Sequence, residues 1–296
     1  MDCSIDGLVL LAKPEGITSF QALGTLKHKL HIGRIGHTGT LDKFAVGLLL
    51  VLTGSMTRLS PLFMSLDKIY RAVIIFGKET DTLDPEGDIT LEREIPGLTA
   101  VQQAIESQIG EIEQIPPVYS AIHINGSRAY QLARSGNTPQ LEPRQVRIDY
   151  IKLIAYKPPK LSIEVKCSKG TYIRSLARDL GRLASSCAHV SRLERTSVGN
   201  FYLKNAVTPE SFNPESDIIP PIKFLKVFSE IRQITVSNLL GSKIINGQSL
   251  DDKQLSAAVQ LSDGLYALFG ENEKLLAIAS RKNGEFSYQG VFSTKS

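Results

Sequence analysis

Cysteine is scarce in this chain, with three among 296 residues, at Cys3, Cys167 and Cys187. So few, so widely scattered, supply neither a disulfide framework nor a ligand set with zinc-site spacing. No run of eighteen apolar residues occurs, which argues against a membrane-spanning helix. The N-terminus carries Asp2 and Asp6 and lacks a basic stretch ahead of an apolar core, so no secretory leader is expected. Internal repeats, heptads and low-complexity tracts are missing as well. What remains is the expectation of a reduced, cytoplasmic protein that holds no metal.

What is present fits a folded, globular protein. A hydrophobic content of 42% and a charged content of 22% are ordinary for a globular chain with a sizeable core. The length of 296 residues has room for one large domain plus a small one, or for two of medium size. Net charge is +4, basic enough to permit a nucleic-acid partner without requiring one. Distribution says more. Basic residues gather at Lys27, His28, Lys29, His31, Arg34 and His37, and again at Arg174, Arg178, Arg182, Arg192 and Arg195. Acids concentrate between Glu79 and Glu94, where they read as a solvent face.

Hydrophobic periodicity places the elements. Gly7 to Ala12 reads as a strand closed by the turn Lys13-Pro14-Glu15-Gly16. Thr18 or Ser19 then caps a helix whose expected apolar face is Phe20, Leu23, Leu26 and Leu30. The apolar run Leu48 to Leu52 reads as a second helix, and Tyr70 to Phe76 as a buried central strand. Further on come a helix from Thr99 to Ile109, a strand from Leu161 to Cys167, and a helix bearing Ile173, Leu176, Ala177, Leu180 and Ala184 on one face. Pro209, Pro214, Pro220 and Pro221 suggest a linker. Three short strands, Leu265–Phe269, Leu275–Ala279 and Phe286–Phe292, end the chain.

The most specific stretch is Gly36-His37-Thr38-Gly39-Thr40-Leu41-Asp42. Two glycines let the backbone approach a ligand closely, and the loop ends in a single carboxylate. Asp42 could serve merely as a helix N-cap, or it could be the reactive group of a site. Four more segments bear on that choice: Lys13-Pro14-Glu15-Gly16-Ile17-Thr18-Ser19, Asp67-Lys68-Ile69-Tyr70-Arg71-Ala72, Lys169-Gly170-Thr171-Tyr172-Ile173-Arg174-Ser175-Leu176 and Leu193-Glu194-Arg195-Thr196-Ser197-Val198-Gly199.

Together these five segments resemble, in order, the motifs of the TruB family of tRNA pseudouridine synthases. The match spans roughly the first 210 residues, while the C-terminal part matches more loosely. Lys43 replaces the family's usual proline and Val46 a frequent threonine; neither position carries chemistry in the family. The resemblance implies an α+β fold. A mixed-sheet catalytic domain would span residues 1–228, with a T-loop-gripping insertion at about 119–145, and a small β-rich PUA-like domain would span 229–296. It implies isomerisation of uridine-55 in the tRNA T-arm, by a monomer without cofactor, metal or required protein partner.

Residue by residue, the resemblance makes Asp42 the catalytic carboxylate, with Tyr70 and Arg174 beside it. His37, Tyr70, Tyr172, Leu193, Lys13, Arg128 and Arg134 would contact substrate. The chemistry suits these residue types. Breaking a C1′–N1 bond and remaking it through C5 needs a carboxylate at the ribose, as nucleophile at C1′ or base at C2′. A neighbouring guanidinium favours the ionised acid and fixes its orientation. Two rivals use the same fold, a non-catalytic tRNA-folding factor and a guide-RNA-dependent synthase. The intact Asp42, Tyr70, Tyr172 and Arg174 argue against the first, and the 119–145 insertion with the absence of basic tails against the second.

Overall fold

A computed structural model of the chain describes residues 6–120, 123–124, 127–128, 141–255 and 261–292. The elements, in order, are β1 (Gly7–Lys13), α1 (Ser19–Leu30), β2 (Ile35–His37), β3 (Val46–Thr53), α2 (Ser60–Met64), β4 (Lys68–Phe76), β5 (Lys78–Thr80) and β6 (Ile89–Glu92). Next come α3 (Leu98–Glu106), β7 (Gly110–Gln114), β8 (His123–Ile124), β9 (Ser127–Arg128), β10 (Arg144–Lys157), β11 (Lys160–Cys167), α4 (Ile173–Leu183), β12 (Ala188–Val198) and β13 (Phe201–Tyr202). The C-terminal part holds α5 (Pro221–Phe224), β14 (Ile231–Val236), α6 (Asn238–Ile245), α7 (Asp252–Leu255), β15 (Gly264–Gly270), β16 (Leu275–Lys282) and β17 (Glu285–Val291).

One nine-stranded sheet organises the body, running β1-β3-β12-β4-β11-β10-β7 with β2 beside β3 and β13 beside β12. Its ladders are antiparallel except where β12 meets β3 in parallel, Glu194 opposite Val46 and Arg195 opposite Gly47. That junction divides the sheet. Beyond it, β4, β11 and β10 bury Tyr70, Ala72, Ile74, Ile163, Val165 and Ile148 against Val101 and Ala104 of α3 and Leu176 and Leu180 of α4. Helices packed on a mixed sheet make the fold α+β, as expected.

The apolar run after the signature loop is a strand, not the expected helix. Leu49 and Val51 pack with Val9, Leu11 and the α1 residues Leu23 and Leu26 on one face. Leu48, Leu50 and Leu52 pack with Leu8, Leu10 and Phe63 on the other. A strand buried on both faces loses its alternation and reads as a continuous apolar run, which periodicity cannot distinguish from a buried helix. Asp42 therefore caps nothing.

Thr18 caps α1 through a reciprocal capping box with Gln21, which ties down two otherwise unpaired amides. Its buried stripe is Ala22, Leu23, Leu26 and Leu30, and the expected Phe20 lies outside it. The proline-marked stretch is no free linker. Val207 and Ile219 bridge to Leu11 and Leu8 of β1, covering the edge of the sheet.

The C-terminal sheet runs β14-β15-β16-β17, with β14 and β15 parallel. It adds to the three expected strands an opening strand and α6. Phe228, Ile231, Ala267, Phe269 and Ile278 share one apolar cluster with Leu10, Leu50, Phe63 and Phe201 of the body, so burial joins the two sheets. Phe63 sits at the centre, fully buried, with the rings of Phe201, Phe224 and Phe228 at 5.8, 5.6 and 5.2 Å. Phe63→Ala is expected to lower unfolding free energy by about 3–5 kcal/mol in urea titration; a loss below about 1 kcal/mol would mean the cluster closes without it.

Candidate active site

The loop between β2 and β3 is held by its backbone at almost every residue. Thr38 N–H donates to the Leu50 carbonyl at 3.0 Å. The Gly39 carbonyl accepts from Arg195 Nη2 at 2.9 Å. Ser19, the first residue of α1, accepts from Leu41 N–H at 2.9 Å and donates to the Leu41 carbonyl at 3.0 Å. The Lys43 carbonyl accepts from Gly16 N–H at 3.0 Å and from Lys13 Nζ at 3.3 Å. Gly47 closes the loop where β3 crosses β12, at φ +110°. A Cβ there would come within 2.4 Å of the Arg195 carbonyl oxygen, so only glycine fits.

Into this frame the first turn of α4 delivers Arg174. Its Nη2 donates to Asp42 Oδ1 at 3.2 Å, and its Nε lies 2.9 Å from Oδ2 with the N–H off the line to that oxygen. The contact is thus an ion pair with one aligned hydrogen bond. Nη1 donates to Asp84 Oδ2 at 3.2 Å and to the Thr82 carbonyl at 2.9 Å, and Nη2 also to the Tyr119 carbonyl at 2.9 Å. One guanidinium therefore serves two carboxylates. Asp84 is 6% exposed and further fixed by the Thr82 hydroxyl at 2.6 Å and Glu86 N–H at 3.0 Å. Asp42 is 38% exposed. It is the carboxylate with an open face.

Asp42 keeps part of its side chain exposed, yet enough protein surrounds it that burial is the leading influence and carries its pKa above the ordinary aspartate value. Arg174 opposes that rise, Asp84 and Glu86 add to it, and Lys13 opposes it. Arg174 acts in the expected direction, favouring the ionised acid, but burial outweighs it.

Tyr70 and Arg195 are cross-strand partners of β4 and β12, both buried. Arg195 donates to the Leu48 carbonyl at 2.7 Å. Burial raises the Tyr70 phenol pKa, and the charge of Arg195 draws it back. Leu193, two residues along β12, packs with Leu41, Phe44 and Tyr70 as an apolar wall. His37 ends β2; burial and then Arg195 lower its pKa, and its buried Nδ1 has no hydrogen-bond partner. Tyr172 is the N-cap residue of α4, its N–H held by Gln114 Oε1 at 2.8 Å.

Lys13 takes a task different from the expected substrate contact. It is 1% exposed and its ammonium is spent on the carbonyls of Pro14, Ile17 and Lys43 at 2.9, 2.7 and 3.3 Å. It holds the loop. Arg128 is described only as backbone in β9, and Arg134 lies outside the described residues. Two residues escaped the sequence reading. Asp84 sits in the acidic stretch taken for a solvent face, and Arg195 read as one cation of a surface cluster; its position two residues from Leu193 on a strand was the available signal. Among the described residues no group of three or more His, Cys, Asp or Glu side chains could hold a metal, and no helix is long and apolar enough to cross a membrane.

A family model described as TruB family pseudouridylate synthase (N terminal domain) matches residues 27–173. The tRNA pseudouridine synthase B of Borreliella burgdorferi (strain ZS7) is 44% identical over 229 residues, 76% of this chain and 80% of that protein. That of Treponema denticola is 39% identical over 275 residues, 83% of this chain and 77% of its own. A solved H/ACA RNP bound to a substrate RNA containing 2′-deoxyuridine aligns with a TM-score of 0.71 at 19% identity, over 99% of this chain and 87% of that one. Likeness at that identity concerns the fold.

The caged Lys13 ammonium has a measurable consequence. Burial brings its pKa down to about 8, whereas the unfolded chain holds the proton to about 10.4. Between those values the unfolded state binds more protons, so this residue makes stability rise with pH. Wild type is expected to gain stability relative to Lys13→Met from pH 8 to pH 10 in urea titrations. Lys68, lowered to about 8 as well, is present in both proteins and cancels. Parallel pH curves would rule out a buried ammonium.

Proposed function

Since the chain belongs to the TruB family of pseudouridylate synthases, enzymes that isomerise uridine in RNA, we propose that it converts uridine-55 in the T-loop of tRNA to pseudouridine. Asp42 is the catalytic carboxylate of this reading. The observation that carries it is the unequal sharing of Arg174: one carboxylate is buried, while the other is oriented by the same guanidinium and partly exposed.

The target nucleotide leaves its stack to reach that carboxylate, at a cost of a few kcal/mol that is least in a loop. Asp42 acts at the ribose as the C1′–N1 bond breaks. The freed uracil turns within the pocket walled by Leu193, and C5 bonds to C1′. The C5 proton then leaves and N1 takes one up, so atoms and charge balance. Tyr70, buried opposite Arg195 on the neighbouring strand, is suited to relay that proton. Tyr172 stacks on or hydrogen-bonds near the base, and His37 fills the space the base vacates.

In the same reading, Arg128 and Arg134 of the 119–145 segment contact T-loop phosphates, and residues 229–296 form a PUA-like RNA-binding domain. The separate four-stranded sheet supports that division. The proposed enzyme works in the cytoplasm as a monomer without a cofactor.

Incubating the purified protein with an unmodified tRNA transcript and mapping pseudouridine tests the function, and product confined to position 55 is expected. Product elsewhere, or none, would refute the assignment. Asp42→Asn should reduce turnover by at least about 10²-fold while leaving tRNA affinity within about tenfold, because the amide keeps the shape and loses only the charge. Arg174→Lys should cost about tenfold or more in kcat despite keeping the charge, since an ammonium cannot bind two carboxylates and two carbonyls in one plane. Near wild-type turnover in either variant would contradict the role given to that residue.

A further inference from the structure

Phe20 breaks the pattern of its helix. Residues of α1 facing the core are Ala22, Leu23, Leu26 and Leu30, whereas Phe20 is 81% exposed, more than any other large hydrophobic side chain described. At 3.6 residues per turn, Phe20, Gly24, Lys27, His28 and the C-cap residue His31 fall on one arc, and all five are exposed. A Cβ added at Gly24 would meet nothing within 4 Å, so the middle of this strip is open surface. Helix α1 contains no acid, and Arg34 follows just beyond its end, exposed. An exposed aromatic at one end and cations at the other, without a counter-charge, is the pattern of a single-stranded nucleic-acid surface: a ring for a base, then charges for the backbone.

Position gives the strip its meaning. Ser19, next to Phe20, is hydrogen-bonded in both directions to Leu41, the neighbour of Asp42. Phe20 therefore lies on the end of α1 that is hydrogen-bonded to the loop carrying Asp42. From Phe20 to His31 the strip extends about 16 Å along the helix axis. We propose that this face of α1 is an RNA-docking strip, on which Phe20 stacks against an unpaired base near the extruded uridine while Lys27, His28 and His31 follow the adjoining phosphates. It rests on the pseudouridylation reading and extends it from the target nucleotide to the strand leading away from it.

Steady-state kinetics and binding with an unmodified T-arm stem-loop transcript test the strip. Phe20→Ala and Phe20→Leu should each raise KM about tenfold, as expected for one lost stacking contact, with kcat changing less than about threefold. Phe20→Trp should restore KM to within about threefold of wild type, because it returns an aromatic face. Lys27→Gln should reduce the slope of log affinity against log salt by roughly 0.7 to 0.9. The melting temperature should stay within a few degrees throughout, since no buried contact is removed. An unchanged KM in Phe20→Ala, equal rescue by leucine and tryptophan, an unchanged salt slope, or a large fall in melting temperature would each overturn the strip. A wild-type protein that makes no product would instead refute the function itself.

Discussion

The arrangement around Asp42 depends on one buried guanidinium satisfying two carboxylates. A charge as enclosed as Arg174, 5% exposed, is tolerable only when paired and hydrogen-bonded on nearly every side. Asp84 and the carbonyls of Thr82 and Tyr119 meet that need without the help of Asp42. The arginine is thereby fixed before any substrate arrives. Asp42 then gains a rigid donor and a counter-charge while keeping one face open, an arrangement prepared for charge rather than assembled around it. Removing Asp84 would leave Arg174 to compete for Asp42 alone, which is why a residue remote from substrate matters to it.

The fold supplies the stiffness this requires. Asp42 lies on a loop, but the loop is bound to β3 through Thr38, to β12 through Gly39, to α1 through Leu41 and to the Lys13 turn through Lys43. Strand β3 beneath it is buried on both faces, so it cannot move without opening two apolar clusters. Arg195 joins the halves, reaching from β12 to the Gly39 and Leu48 carbonyls while its backbone pairs with Tyr70 of β4. Loop, acid and phenol share one frame.

Much of this was legible in the sequence, because motif residues near one another in space recur as short contiguous segments. The pairing of Asp42 with Arg174, which the resemblance implied, is present as an ion pair. Other features were hidden for definite reasons. Leu48 to Leu52 looked helical because burial on both faces erases the alternation that marks a strand. Asp84 was lost among acids, since a linear run of charge does not say which member turns inward. Phe20 was assigned to the core by its spacing from Leu23, but the stripe is completed by Ala22. Prolines 209 to 221 suggested slack where the chain in fact seals the β1 edge.

The central claim, that Arg174 keeps the reacting carboxylate of Asp42 ionised, is tested most directly by single-turnover rates at saturating tRNA across a range of acid pH, for wild type and Arg174→Gln. Burial raises the Asp42 pKa and Arg174 opposes that rise, so losing the guanidinium must raise it further. The acid limb of the variant is expected at higher pH than that of wild type, with a lower plateau. Coincident acid limbs, with the loss confined to RNA affinity, would contradict the pairing as the source of reactivity.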